Sequence, residues 1–171
     1  LNPPPAKGGK TLMQALNERK SSRDFSAKEL PLRVLSELLW AGFGVNREET
    51  GKRTAPSAKN MQEIDIYVAM KDGLYLYDAK NNMLMPVLYE DVRAYAGRQF
   101  FMKDVPVVLI FVSDHEKMIN ITAEEKLFYE TIDTGYISQN VYLYCASAGL
   151  STVAVATFSN LSLKKAMKLR Q

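Results

Sequence analysis

The sequence predicts an α+β fold in which helices flank a mixed, mainly antiparallel sheet. Three observations carry this. Short runs rich in β-branched and aromatic residues cluster mid-chain, at 64–70, 74–77 and 83–88, separated by turn residues. Helical patterns lie before and after them. The longest periodic stretch, from Ala123 to Ala148, is far too long for a strand and runs into Gly149, a natural helix stop. Interleaved elements around a hairpin region read as α+β rather than as a parallel α/β sheet.

Taken in order, residues 1–9 are Pro-rich and then Gly-Gly, which predicts an extended arm. Thr11 with Gln14 has capping-box form, and Leu12, Met13 and Leu16 give a short amphipathic helix ending at 17–20. Pro31 suits the first turn of a second helix. Leu32, Leu35, Leu38 and Leu39 are its expected buried stripe, and Gly42 or Gly44 its stop. After the strand at 64–70, Asp72-Gly73 and Asn81-Asn82 mark the turns into two further strands. A helical turn at 92–96 ends at Gly97. Val105 to Val112 is continuously apolar and reads as a central strand buried on both faces, with Pro106 tolerated at its start. In the long helix, Leu127, Ile132, Ile137, Val141 and Tyr144 fall near one face. After Gly135 it is apolar almost all round, so it is expected to be central and buried. A strand at 152–158 and an amphipathic helix at 161–169 complete the chain. With no repeat or linker, residues 1–171 read as one domain.

Bulk properties narrow the function. A chain of 171 residues buries a core without staples. The net charge is +3, with Lys and Arg scattered among Asp and Glu, which argues against a nucleic-acid partner. No apolar run is long enough for membrane insertion. One cysteine and one histidine exclude an internal disulfide and a clustered zinc site, so no metal is expected. There is no GxGxxG after a strand, no GxxxxGK[ST] and no GxSxG. His115 sits in a loop after a strand and reads as a solvated turn; Cys145 reads as a small core residue. With no catalytic side chain in evidence, any chemistry here would be borrowed from a cofactor. Leu1 rather than Met opens the chain, an end that a cleaved export signal or a trimmed tag would each leave. A cytoplasmic location is the default, with export after signal cleavage as the alternative.

Three short constellations stand out. Arg19, Lys20, Ser21, Ser22 and Arg23 put three cations and two hydroxyls in five residues, enough to grip a phosphate. Taken alone, the same residues read more plainly as a solvated helix end favoured by the dipole. Pro56, Ser57, Ala58, Lys59 and Asn60 precede a strand, where backbone amides and the Asn60 amide group could meet the edge of a flat ring. An ordinary turn-rich loop has the same composition. Val153 to Phe158 ends in small residues, Ala156 and Thr157, that let a ligand lie against the backbone; a core strand is the plainer reading.

In order and spacing these segments resemble the nitroreductase family of FMN enzymes. Glu18-Arg-Lys-Ser-Ser-Arg-Asp-Phe25 resembles its opening Arg-Arg-Ser-x-Arg-x-Phe signature, and Pro56-Ser-Ala-Lys-Asn60 its Pro-Ser-x-x-Asn segment. Asp133 through Leu150 is similar to its central helix with an Ala-x-Gly-Leu ending. The resemblance implies an interlocked homodimer with two FMN sites at the interface. It implies that Arg19, Lys20, Ser21 and Arg23 hold the phosphate and ribityl chain. Pro56, Ser57, Ala58 and Asn60 would lie along the isoalloxazine ring, and Ala156 and Thr157 would approach its N5 and O4 edge through backbone amides. Ala156-Thr157 replaces the acidic-Gly pair of the best-known members, which bears on substrate preference. The implied activity is transfer of electrons from NADH or NADPH to a nitroaromatic, quinone or related small-molecule acceptor. A flavin-binding module that stores or senses FMN is the alternative. Family chains usually run on into a strand that reaches across the partner; the sequence stops at Gln171, so either that tail was lost or the family's final exchange strand is missing, and any phosphate ligands relatives place there are not assigned.

Overall fold

A computed structural model describes residues 1–3 and 8–169. Residues 4–7 of the expected N-terminal arm lie outside the described residues. Helix α1 (Leu12–Glu18) starts at the anticipated capping box: Thr11 accepts from the Gln14 amide while the Gln14 side chain accepts from Thr11 N–H. Helix α2 (Leu32–Phe43) follows, then a two-stranded hairpin of β1 (Val45–Arg47) and β2 (Lys52–Arg53). The main sheet contains β3 (Ile64–Met70), β4 (Gly73–Asp78), β5 (Met83–Leu88) and β6 (Val108–Ser113). Its order is β5-β4-β3-β6, with every ladder antiparallel. Helix α3 (Ala123–Ala148) has the predicted ends: Thr122 and Glu125 form a second capping box, and Gly149 closes it at φ 69°. Helix α4 (Asn160–Ala166) is shorter than the pattern at 161–169 suggests.

Alternation along β3 divides the core into two layers. Ile64, Ile66 and Val68 face Leu35, Leu39 and Phe43 of α2 and Ile137 of α3. Ala69 and Tyr67 face the other way, toward Phe101, Met102, Val105 and, from α4 and its C-cap, Leu163 and Met167. Helices therefore cover both faces of the sheet. Gly42 is not the stop of α2; it is buried inside it, and an added Cβ there would lie 3.3 Å from Val141 of α3. Gly44 caps the helix instead.

Four expectations need correction. Leu32 is exposed at the first residue of α2, and the buried stripe begins at Leu35. β6 is an edge strand rather than the central one, so only Ile110 is fully buried along it although its residues pack into both layers. Its apolar run describes faces covered on both sides, which does not reveal how many neighbours flank a strand in the sheet. Residues 152–158 form no strand at all. They are bonded piecemeal: Ser22 N–H donates to Thr152 O, Arg98 N–H to Thr157 O, and Ala154 N–H to the Tyr142 hydroxyl. β-propensity records fit to a half-buried extended site, and among the described residues no ladder partner lies beside this one. Finally, α3 is not buried within the chain. Of its apolar side chains only Ile137 and Cys145 are fully buried, and Leu127, Phe128 and Tyr136 are exposed.

Candidate functional site

Two of the three constellations converge on one tyrosine. Tyr142 lies on the C-terminal third of α3, and its hydroxyl accepts from Ala154 N–H at 2.8 Å and shares a hydrogen bond with Ser21 Oγ at 2.9 Å. The Arg19 guanidinium rests over the same ring, 5.3 Å from its centroid. Ser22 adds two further ties, its amide to Thr152 O at 2.9 Å and its hydroxyl from Ser151 at 3.2 Å. The basic loop after α1 is thus fastened to the extended 151–157 segment across the end of α3. Among the described residues Arg19, Lys20 and Arg23 have no carboxylate within ion-pairing distance, although other cations do, such as Lys117 with Asp65 at 2.6 Å. Three cations left without counter-charge around two hydroxyls form an anion-receptive surface.

The ring-edge segment is also braced from the side. Gln99 Nε2 donates to Thr157 Oγ1 at 2.6 Å, and Arg98 N–H to Thr157 O at 3.0 Å. The amides of Ala156 and Thr157 have no acceptor among the described residues, and both residues are exposed, so two backbone donors stand free there. Phe101 is core, its ring tilted at 45° against Phe25 with centroids 5.2 Å apart, whereas Phe100 is exposed beside it.

The Pro56–Asn60 loop is placed elsewhere. Ala58 N–H donates to Asp133 Oδ2 on α3 at 2.8 Å, and Ser57 Oγ accepts from Gln62 N–H at 3.0 Å. Lys59, Asn60 and Gln62 take left-handed backbone conformations at φ 52°, 56° and 51°, unusual for non-glycine residues. Asn60 is exposed, its Oδ1 accepting from Gln62 Nε2 at 3.2 Å. Among the described residues no hydrogen bond joins this loop to the other two constellations. Nine residues of helix separate Asp133 from Tyr142, about 13 Å along the axis at ~1.5 Å per residue.

Neither lone polar candidate is built for catalysis. Cys145 is buried and its thiol is pushed up to about 11 by that burial, which suppresses the reactive thiolate. His115 is exposed, with Nε2 2.7 Å from Glu130 Oε2. No group of residues suited to a metal ion occurs among the described residues. Nor is any described helix long and apolar enough to cross a membrane.

With this geometry in view, comparison with known proteins is decisive. The family model described as Nitroreductase family matches residues 16–171. The chain belongs to the nitroreductase family. A curated nitroreductase-family protein of Methanocaldococcus jannaschii is 31% identical over 170 residues, 94% of this chain and 85% of that protein. The crystal structure of a nitroreductase-family protein of Ralstonia eutropha JMP134 is 40% identical with a TM-score of 0.95, covering 100% of this chain and 81% of that one. A nitroreductase-family structure from Desulfovibrio desulfuricans, in complex with FMN, has the same fold at 19% identity. Its TM-score is 0.67, covering 95% of this chain and 79% of that one. The nitroreductase family is one of oxidoreductases, and the fold of this chain is the family's.

Reading the sequence missed Tyr142 and Asp133. Tyr142 and Asp133 sit on a helix whose apolar pattern drew attention to packing rather than to polar tips. A carboxylate amid buried helix positions is itself a signal, since Asp is rarely inside without a partner.

Proposed function

We propose that this nitroreductase-family chain binds FMN non-covalently as a homodimer. In this reading it passes electrons from NADH or NADPH to a nitroaromatic, quinone or related small acceptor by a ping-pong route. The observation that supports this best is the unpaired cluster of Arg19, Lys20 and Arg23, joined through Tyr142 to a segment presenting free amides at Ala156 and Thr157. One phosphate and one electron-rich ring edge are what such a pair of donor sets suits. FMN, when bound, supplies the hydride-accepting and hydride-donating ring. Arg19, Lys20, Ser21 and Arg23 would hold its phosphate and ribityl chain. The Ala156 and Thr157 amides would stabilise negative charge gathering at the ring edge. Pro56, Ser57, Ala58 and Asn60 would lie along the ring.

The purified protein should be yellow and release FMN, not FAD, on heating. Stopped-flow mixing with NADH or NADPH should bleach it, and a quinone should restore the colour. A colourless protein that leaves added FMN fluorescence unchanged refutes the reading. Bound FMN that neither nicotinamide reduces would turn it toward storage or sensing.

At equal flavin content, His115→Ala and Cys145→Ser should oxidise NADH or NADPH at close to the wild-type rate. His115 is exposed and its ring pairs with Glu130, with no nucleophile bonded to it among the described residues, and the Cys145 thiol is buried and pushed up to about 11. Loss of turnover in His115→Ala with FMN retained would show that a protein acid takes part.

A further inference from the structure

Glu63 precedes β3 and is 0% exposed, and its carboxylate oxygens have no well-formed hydrogen bond among the described residues; its own backbone N–H and the Asp133 carboxyl are polar groups beside it. A bare charge in that position is strongly disfavoured. Its surroundings make this worse. From α3, Asp133 and Glu130 add negative charge nearby. Glu130 faces His115, and Asp114 N–H donates to the main-chain carbonyl of Glu63 at 2.9 Å. The neighbouring cations are engaged elsewhere: Arg53 Nε binds Gln62 at 2.8 Å with its guanidinium over Phe43, and Lys117 pairs with Asp65. Among the described residues no ion pair reaches Glu63. Burial first, then Asp133 and Glu130, push its pKa up to about 7.

Asp133, 2% exposed, is the residue whose carboxylate anchors Ala58 N–H. The loop it anchors needs holding, because Lys59, Asn60 and Gln62 all occupy the left-handed region, where side chains are strained. With the Asp133 carboxyl beside it, a second buried negative charge at Glu63 is costly, so Glu63 holds its proton more tightly than an exposed carboxyl does.

We propose that Glu63 is a positioning residue for the Pro56–Asn60 loop: protonated, it leaves Asp133 free to hold the Ala58 amide, and ionised, it drives Asp133 off that bond. Binding of FMN to the loop is therefore linked to proton uptake at Glu63. This rests on the FMN reading above. The sign follows from the raised value. Glu63 titrates at 4.5 ordinarily and at about 7 in the fold. Its contribution to stability is complete below the ordinary value and is lost as pH rises through the folded one. Affinity for FMN falls over the upper part of the same window, as the folded protein loses the proton.

The test is FMN titration of the flavin-stripped full chain, followed by fluorescence, between about pH 6 and about pH 8.5. Wild type should weaken on the order of tenfold across that range, the equivalent of one pKa unit. E63Q should stay flat. D133N should be flat too, since its amide oxygen still accepts from Ala58 N–H without adding charge. Amide exchange of segment 56–62, corrected for the intrinsic effect of pH, reads the loop without FMN: wild type should lose protection at the alkaline end and E63Q should not. Loop protection independent of pH in wild type, or an E63Q slope equal to wild type, overturns the proposal. Absence of FMN binding at every pH would sink the functional reading, and loop exchange would still decide the role of Glu63.

Discussion

Arg19→Ala should weaken FMN binding by about 1.5–3 kcal/mol, the scale of a charge-assisted hydrogen bond. That is roughly a ten- to hundredfold rise in Kd. Lys28→Ala, five residues beyond the cluster, should leave it near the wild-type value. The structure sharpens this contrast. A solvated cation at a helix end would be free to wander, but the Arg19 guanidinium lies over the Tyr142 ring, which biases its position before any ligand arrives. Preorganisation of this kind lowers the entropy cost of the bound state. Tyr142→Phe keeps the ring beneath Arg19 and removes only the hydroxyl that bonds Ser21 and Ala154. It should therefore weaken binding less than Arg19→Ala. Equal Kd values for Arg19→Ala, Lys28→Ala and wild type in a flavin titration would reduce the cluster to a solvated helix end.

The elements most legible in the sequence were those whose signals are local. The capping box at Thr11–Gln14, the stop at Gly149 and the turn at Asp72-Gly73 are each specified by a few adjacent residues, and the folded chain uses all of them; the second capping box, Thr122–Glu125, was equally local but went unread. Errors arose where the outcome depends on what lies alongside in space. The apolar run ending at Val112 could not show that β6 has one neighbour, nor could the β-branched residues of 152–158 show that none is present. The site behaves the same way. The basic cluster and the Pro-Ser loop were visible as composition, but Tyr142 and Asp133, which fix their positions, became visible only once α3 was folded against both. Glu63 was hidden by its place at the edge of a strand pattern, where one acidic residue passes as a turn.

Leu127→Glu combined with Phe128→Glu should convert the proposed homodimer to a monomer and cost it its FMN. Both side chains stand 65% and 61% exposed on α3, and Leu12, Met13 and Leu16 of α1, which packs on the same helix, are exposed as well. Burying a large apolar side chain contributes ~1.5–3 kcal/mol, so two such residues from each copy are a large share of a dimer's stability. Glutamates there would lose that term and place four like charges across a two-fold axis. Tyr89, 82% exposed beyond the end of β5, is the control, and Tyr89→Glu should change neither assembly nor colour. FMN should be lost with the partner because the family resemblance puts the cofactor at the interface. Within one chain, moreover, no hydrogen bond joins the Pro56–Asn60 loop to the Arg19–Arg23 cluster among the described residues. Light scattering and flavin absorbance at micromolar concentration, with circular dichroism to confirm folding, read both effects. A wild-type protein already monomeric, or a double variant that stays dimeric, would mean the exposed face of α3 serves something other than a second copy. A monomeric double variant that keeps its FMN would place the whole flavin site within one chain.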